Sequence, residues 1–439
     1  MIRSRRRKLQ VVQTEPGQEN AELAPLLSLR PSAIWKQVRQ EHLSFWFACG
    51  YLFFEYVRPQ TIYPAIAFFP WTAMFAVGAL LLSFGDKARK PTGSPISKLI
   101  VTYGVIVFLS ACFAYDPGLS FEHLMDYFNW VLIYFAIVRT IFTPRRFFIF
   151  FLLYMLCNFK MSQHGFLSWA ARGFTFDIDG VGGAPGWFQN SGEFGIQLCI
   201  FTPLIVAFVL AVRPYCSRWI RYGLYLVPVT AIGSTVASAS RGALVGLFAA
   251  SLWALKTTKY FIRTMIVGII LATAVYFTIP PESKQRFENS GSDRTSLHRL
   301  DRWHKGWMVM LENPMLGIGH KNWERYYRDH LNYGVPGTPL VHNMFVESGT
   351  EHGFLGVGTL ILLIGTSFVI NGRTRKLAKA QQDTFSFYVA HGLDAATIGM
   401  VISASFVTVL YYPYVWIQAA FVAALNNSVS PVIDKKIAR

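Results

Sequence analysis

Residues 295–323, TSLHRLDRWHKGWMVMLENPMLGIGHKNW, and residues 341–356, VHNMFVESGTEHGFLG, lie in the longest polar region between two apolar segments of the chain. This region extends from Pro280 to Gly356 and begins with a connector of acidic and basic residues. Charged side chains at this density are too costly to place in the hydrocarbon of a bilayer. The rest of the chain is therefore expected to hold this region at a membrane surface.

The composition indicates an integral membrane protein. Of the 439 residues, 53% are hydrophobic and only 15% are charged, whereas about a quarter are charged in soluble proteins. The formal net charge of +17 could indicate a nucleic-acid partner. However, the basic residues occur in short runs between apolar segments, which is typical of membrane topology signals. The sequence therefore predicts no nucleic-acid binding.

The hydropathy pattern predicts an all-α, polytopic transmembrane helical bundle. A spanning helix needs about 20 apolar residues, and about twelve segments approach this length. Short loops rich in Lys and Arg lie on the cytoplasmic side, which places both termini in the cytoplasm and the long polar region on the opposite, outer side. The predicted spans are 43–57, 62–84, 97–115, 121–142, 147–163, 190–212, 219–237, 241–257, 262–280, 354–371, 385–410 and 412–428.

This topology divides the chain into five parts. The large periplasmic loop is expected to be partly helical, because apolar residues recur at spacings of three and four between residues 297 and 311. Two tryptophans on that face favour a helix at the membrane interface that ends at Asn313-Pro314. The parts are a flexible cytoplasmic tail (1–41), nine spans (42–280), the large periplasmic loop (281–341), a periplasmic-end helix with three spans (342–428) and a cytoplasmic tail (429–439).

Two sequence patterns occur in order around the loop and carry a family resemblance. They are Arg299-x3-Trp303-x10-Pro314-x2-Gly317-x-Gly319 and then His342-Asn343 followed by Glu351-x-Gly353-x2-Gly356, directly before a predicted span. With about twelve spans and a large outer loop, the chain resembles the O-antigen ligase and O-antigen polymerase family of bacterial membrane glycosyltransferases. The resemblance covers residues 185–370, where residues 186–190 and 240–243 also match family features.

This resemblance implies a function at the periplasmic face of the bacterial inner membrane. A glycan would be transferred from undecaprenyl diphosphate to an acceptor hydroxyl, without a metal or other cofactor, and we expect inversion at the anomeric carbon. The acceptor would be another lipid-linked glycan, a lipid A core or a protein, and the sequence does not separate ligase from polymerase. The alternative is a transporter or flippase of lipid-linked sugars, which the lack of matching halves disfavours.

The candidate site residues follow from this chemistry. Guanidinium groups bind phosphate oxygens in a bidentate manner, so Arg241 and Arg299 are predicted to bind the diphosphate. His342 is predicted to be the general base on the acceptor hydroxyl. Possible supporting residues are Arg302, Asn343, Glu351 and Asn190. The alternatives are interfacial arginines, a structural histidine, and a Glu351 that pairs with a basic residue or caps the turn at Gly353.

Two further groups of polar residues were weighed as functional sites. Asp177-x-Asp179-Gly180 has the look of a calcium-loop fragment, but the other ligand positions are missing, so metal binding is not expected there. His391 and Asp394 fall three residues apart within a predicted span. Ionisable groups at that depth are costly unless they are paired, and a structural hydrogen bond is expected for them.

Overall fold

The computed structural model describes residues 18–88, 93–176, 180–256, 294–331 and 340–430. Over these ranges the chain is helical and contains no strand, which confirms the predicted all-α class. The predicted span 262–280 and the two ends of the chain lie outside the described residues. The helices of ten or more residues are α1 (Gln18–Leu27), α2 (Pro31–Gln40), α3 (Leu43–Tyr56), α4 (Trp71–Leu82), α5 (Pro95–Cys112), α6 (Met125–Thr140), α7 (Pro144–Ala171), α8 (Ser191–Val212), α9 (Arg218–Ala237), α10 (Arg241–Leu255), α11 (Arg294–Glu312), α12 (Met344–Ala380), α13 (Thr384–Ala404) and α14 (Pro413–Val429).

Four of these helices are long and apolar enough to cross a membrane by length and composition. They are α5, α8, α12 and α13. Helices α4 and α10 are also apolar but are shorter. The chain is therefore a membrane helical protein, while the total of twelve spans, the sides of the loops and the periplasmic location of the large loop stay predictions.

The C-terminal helices form the centre of the bundle. Helix α14 is buried along its whole length and packs against α6, α7, α12 and α13. Helix α13 packs against α8, α10 and α12, and α8 is buried over nearly all its length. As a result, the connection between α13 and α14, residues 405–412, emerges from the most enclosed part of the protein.

Several boundaries differ from the sequence-based expectations. Helix α7 continues to Ala171, beyond the predicted end at 163, because its polar residues still form helical hydrogen bonds. Helix α4 begins only at Trp71, since Pro64 and Pro70 interrupt the predicted segment 62–84. Residues 18–40, predicted as part of a flexible tail, form α1 and α2, and Leu27 is buried in the core.

Helix α12 contains a kink at Gly353 that explains part of the sequence pattern. Gly353 has φ 64° and ψ −166°, a backbone conformation that glycine adopts without strain. The kink leaves carbonyl groups of the preceding turn without their helical partners. Ile318 N donates to Thr350 O at 2.8 Å and Gly319 N donates to Glu351 O at 3.2 Å. The segment containing Gly317-x-Gly319 is therefore fastened to the opened turn of α12.

Helix α11 lies on the first half of α12. A Cβ at Gly306 would lie 2.5 Å from Val346, so the two helices approach closely there. The helix ends at Glu312, in agreement with the predicted stop at Asn313-Pro314. Its apolar strip of Leu297, Leu300, Trp307 and Leu311 is about half exposed. This strip is available to the membrane interface that the sequence predicts for it.

Candidate functional site

His342 is held in a strained and partly enclosed position before α12. Its φ of 53° is left-handed, a conformation that costs a non-glycine residue about 1–2 kcal/mol. Its backbone N–H donates to Thr408 Oγ1 at 2.8 Å. Burial, reinforced by the charges of Arg299 and Arg302, lowers the pKa of His342 to about 4. The imidazole is therefore neutral near pH 7 and able to accept a proton.

Helix α11 is joined directly to the segment that carries His342. Arg302 Nη1 donates to Leu340 O at 3.1 Å, and Trp303 Nε1 donates to Val341 O at 3.0 Å. Arg299 lies one helical turn before Trp303 and is close enough to act electrostatically on His342. The structure therefore brings Arg299, Arg302 and His342 together.

Arg241 reaches the same neighbourhood from a different helix. It is the first residue of α10, whose start is capped by Ser240 Oγ, which accepts from Ala243 N at 3.4 Å. A Cβ on the next residue, Gly242, would lie 3.1 Å from Phe406. The ring of Phe406 also lies 6.2 Å from that of Trp303. Phe406 thus separates the start of α10, where Arg241 lies, from the helix that carries Arg299.

Two predicted supporting residues have different environments. Asn343 caps α12, because its Oδ1 accepts from Phe345 N at 2.9 Å and from Val346 N at 3.2 Å. Asn190 is exposed, and its Nδ2 donates to Glu193 Oε1 at 3.3 Å. The side-chain oxygen of Asn343 is therefore committed to the helix, whereas Asn190 lies at the start of α8 near the surface.

Glu351 belongs to a buried polar cluster that sequence reasoning missed. Its carboxylate accepts hydrogen bonds from Lys321 N at 3.0 Å and from the hydroxyl of Tyr411. His320 Nδ1 lies 3.1 Å from the Tyr411 hydroxyl, and His352 Nε2 lies 3.4 Å from it. All four side chains are buried. Glu351 thus contacts the loop 405–412 and not His342.

Three of these four residues, His320, Glu351 and His352, are of types that bind metal ions. The ligand atoms of His320, Glu351 and His352 lie within 4.8 Å of one another. Each of these atoms faces the hydroxyl of Tyr411, which occupies the space between them. An ion could bind all three only if this hydroxyl moved away. The residues therefore fit a self-satisfied hydrogen-bond cluster better than a metal centre.

Two acceptors of this cluster compete for the hydroxyl proton of Tyr411. His320 Nε2 lies 2.9 Å from the carbonyl oxygen of His123. A carbonyl only accepts, so Nε2 carries the hydrogen of a neutral His320 and Nδ1 is left as an acceptor. Burial lowers the pKa of His320 to about 4 and so favours this neutral form. His320 and Glu351 then both face the single hydroxyl proton of Tyr411.

The polar residues predicted to pair within a span do so. Asp394 of α13 forms an ion pair with Arg375 of α12 and accepts from Asn371 Nδ2 at 2.8 Å. His391 Nε2 lies 3.1 Å from Ala254 O of α10. These contacts join three helices on the side of the bundle away from His342. Asp177 and Asp179, for which metal binding was not expected, lie outside the described residues.

One solved structure and one family model are similar to parts of this chain. Among solved structures, a chain from work on the structural coordination of polymerization and crosslinking by a peptidoglycan synthase complex aligns at 17% identity with a TM-score of 0.40, covering 76% of this chain and 95% of the other. This TM-score is too low to support an argument. No curated protein sequence matches the chain.

A family model described as "O-Antigen ligase" matches residues 226–381, which is less than half of the chain. The match includes α10, α11 and all of α12, and with them Arg241, Arg299 and His342. Together with the apolar helices, it indicates a membrane protein of glycosyltransferase type. Residues 226–381 are therefore similar to the O-antigen ligase family, which confirms for that region the family resemblance inferred from the sequence.

Proposed function

We propose that this protein transfers a glycan from undecaprenyl diphosphate to an acceptor hydroxyl at the periplasmic face of the inner membrane. The observation that carries the proposal is the arrangement of Arg241, Arg299 and His342 around the loop 405–412. The guanidinium of Arg299 near a neutral imidazole, with Arg241 on the other side of Phe406, fits a reaction with an anionic leaving group and a hydroxyl nucleophile. The similarity of residues 226–381 to the O-antigen ligase family supports the same chemistry.

The reaction is a single displacement at the anomeric carbon with inversion of configuration. The acceptor oxygen forms the new bond to carbon as its proton passes to the imidazole of His342. The bond from carbon to the phosphate oxygen breaks, and undecaprenyl diphosphate leaves with the electron pair. Arg241 and Arg299 stabilise the charge that develops on the diphosphate, which is the main form of electrostatic catalysis for such leaving groups. No step needs a metal ion.

Donor binding also improves His342 as a base. A base is most effective when its pKa is near the working pH, but in the free protein burial and the charges of Arg299 and Arg302 lower the pKa of His342. A bound diphosphate places negative charge beside these arginines and opposes their effect. The imidazole therefore becomes more basic when the donor is present. This coupling avoids activating a water molecule in the empty site.

A transfer assay tests the proposal. Purified protein in nanodiscs is given a lipid-linked glycan and, in parallel, three acceptors: a second lipid-linked repeat, a lipid A core and a protein. His342→Ala should lower turnover by about 10²-fold or more, while Arg241→Gln and Arg299→Gln lower kcat and also raise the KM for the donor. His304→Ala, an exposed histidine on α11, is the matched control.

The outcomes separate the candidate functions. Near-normal turnover of His342→Ala would remove His342 from the mechanism. Accumulation of lipid-linked sugar across proteoliposomes without any transfer would favour the transporter or flippase. The acceptor that is consumed distinguishes a polymerase from a ligase.

A further inference from the structure

Arg58 is a fixed arginine whose charge is not neutralised by an ion pair. It follows α3 and has a left-handed φ of 54°. Among the described residues its guanidinium makes neither a hydrogen bond nor an ion pair, and its Nε is buried without a partner. A buried donor without a partner costs about 1–3 kcal/mol. Such a group is expected to have a partner that is absent from the chain itself.

Two other enclosed arginines of this protein, Arg146 and Arg375, are paired with carboxylates. Arg146 donates to Glu41 at 2.5 Å and to Asp86 at 2.6 Å. Arg375 is paired with Asp394 in the same way. These two arginines hold helices together, as the positions of their partners show. Arg58 differs, because no carboxylate accepts from its guanidinium in the described part of the chain.

The position of Arg58 is determined by a glycine on another segment. A Cβ at Gly186 would lie 1.8 Å from Arg58 Nη1, so the guanidinium lies directly on the backbone of Gly186. Gly186 has φ 90°, which also favours glycine. Any other residue at 186 would displace the guanidinium. The arginine is therefore held in place by shape and not by charge.

Glu55, the acidic residue that interacts with Arg58, already accepts a hydrogen bond from another residue. Glu55 interacts electrostatically with Arg58 but forms no ion pair with it. The carboxylate of Glu55 instead accepts from Trp187 Nε1 at 2.5 Å. Glu55 thus offsets part of the charge of Arg58 without occupying its donors. The donors stay available to a second anion.

The segment that holds Arg58 contacts the loop 405–412, which borders the candidate site. The ring of Trp187, next to Gly186, packs 4.9 Å from that of Tyr412. Tyr412 is the last residue of the loop 405–412, whose Thr408 accepts the hydrogen bond from His342. Trp187, next to the residue that holds Arg58, therefore contacts one end of a loop whose middle contacts His342.

We propose that Arg58, held on Gly186 beside Trp187, binds a phosphate group of the lipid-linked glycan near Tyr412, the last residue of the loop 405–412. A guanidinium with free donors matches phosphate oxygens in charge and geometry. The inference rests on the proposed function, because it assumes that a polyprenyl diphosphate is the substrate. It extends the diphosphate site beyond Arg241 and Arg299 to a residue outside residues 226–381.

Direct binding measurements test this inference independently of catalysis. Nanodiscs containing the full chain are titrated with undecaprenyl diphosphate and, separately, with phosphatidylglycerol as the source of an ordinary headgroup phosphate. Arg58→Asn is suitable because asparagine tolerates a left-handed φ. It should weaken binding of undecaprenyl diphosphate about tenfold or more and leave that of phosphatidylglycerol unchanged. Arg58→Lys should have a smaller effect.

Two further variants distinguish a specific effect of the Arg58 guanidinium from a general effect of mutation. Gly186→Ala keeps the charge but displaces the guanidinium, and it should weaken binding in the same direction. Arg172→Asn removes an exposed arginine and should bind as the wild type does. Binding by Arg58→Asn within twofold of wild type, or an equal loss for both lipids, overturns the inference. If His342→Ala keeps its turnover while Arg58→Asn loses binding, the proposed mechanism fails and this inference stands.

Discussion

The backbone amide of His342 donates a 2.8 Å hydrogen bond to the hydroxyl of Thr408, 66 residues further along the chain. This bond fixes the segment before α12 to the loop 405–412. Thr408→Val removes the acceptor and should lower kcat about tenfold or more, because small displacements of a catalytic group are costly. Thr408→Ser keeps the hydroxyl and should retain most activity. Equal kcat values for the two variants would show that this hydrogen bond does not contribute to catalysis.

The pH dependence of transfer reports the state of His342. Because burial and the two arginines lower its pKa to about 4, the imidazole stays neutral as the pH falls from 8 through 6.5. The acidic limb of kcat/KM, which reports the free enzyme, should therefore lie near pH 4. Donor binding opposes the arginine charges, so the limb of kcat should lie at higher pH. Arg302→Gln removes one of these charges and should move the limb of kcat/KM upward. Identical limbs for kcat and kcat/KM would contradict the proposed coupling.

The stability of the protein should fall in mild acid because of His320. Its folded pKa of about 4 lies below the ordinary value of 6.5, so the unfolded chain takes up the proton first. The contribution is complete above pH 6.5 and is lost as the pH falls towards 4, amounting to about 3 kcal/mol. Thermal unfolding in detergent between pH 7 and 4 measures it. His320→Gln should make the unfolding temperature depend less on pH. If the pH dependence is unchanged, other titrating groups cause the loss of stability in acid.

The ion pair between Arg375 and Asp394 supports the fold and not the reaction. Asp394 is buried, so Arg375→Met leaves a carboxylate with Asn371 as its remaining partner. This change should destabilise the protein by about 3 kcal/mol. The double variant Arg375→Met with Asp394→Leu should recover much of the loss, because no unpaired charge is left buried. Unfolding temperatures of the three proteins test this, and a double variant no more stable than Arg375→Met would count against it.

Asn343 should act through the helix and not through the substrate. Its Oδ1 accepts from two backbone amides at the start of α12. Asn343→Ala should therefore cost about 1 kcal/mol of stability, whereas Asn343→Asp keeps the cap and should retain transfer activity. A large rise in KM for Asn343→Asp with normal stability would instead indicate a contact with the substrate.

Local sequence signals predicted the helices best where they were strongest. The segments 190–212 and 219–237 coincide with α8 and α9 within one residue at their starts, since long apolar runs dominate there. The end of α7 was missed because the polar residues after position 163 resemble a loop. The helices at 18–40 were missed because Leu27 is buried through tertiary contacts that local composition does not report.

The same distinction applies to the site. Arg299 and His342 were predicted as site residues from their spacing to nearby glycines and tryptophan, and the structure places them close together. The partners of Glu351 were not, because Tyr411 lies 60 residues away and joins it only in the folded chain. His320 follows the Gly317-x-Gly319 pattern directly, and this position was the available signal. Arg58 had none, since its significance depends on the absence of a partner and on the shape of Gly186.

The loop 405–412 lies outside residues 226–381, the part of the chain that matches the O-antigen ligase model. It nevertheless accepts the hydrogen bond from His342 and contacts Trp303 through Phe406. An excised segment of residues 226–381 would therefore contain Arg241, Arg299 and His342, the proposed site residues, but lack the loop that accepts the hydrogen bond from His342. Exchanging acceptor specificity between related enzymes should likewise require moving this loop together with residues 226–381, because the transferred histidine would otherwise lose its hydrogen-bond acceptor.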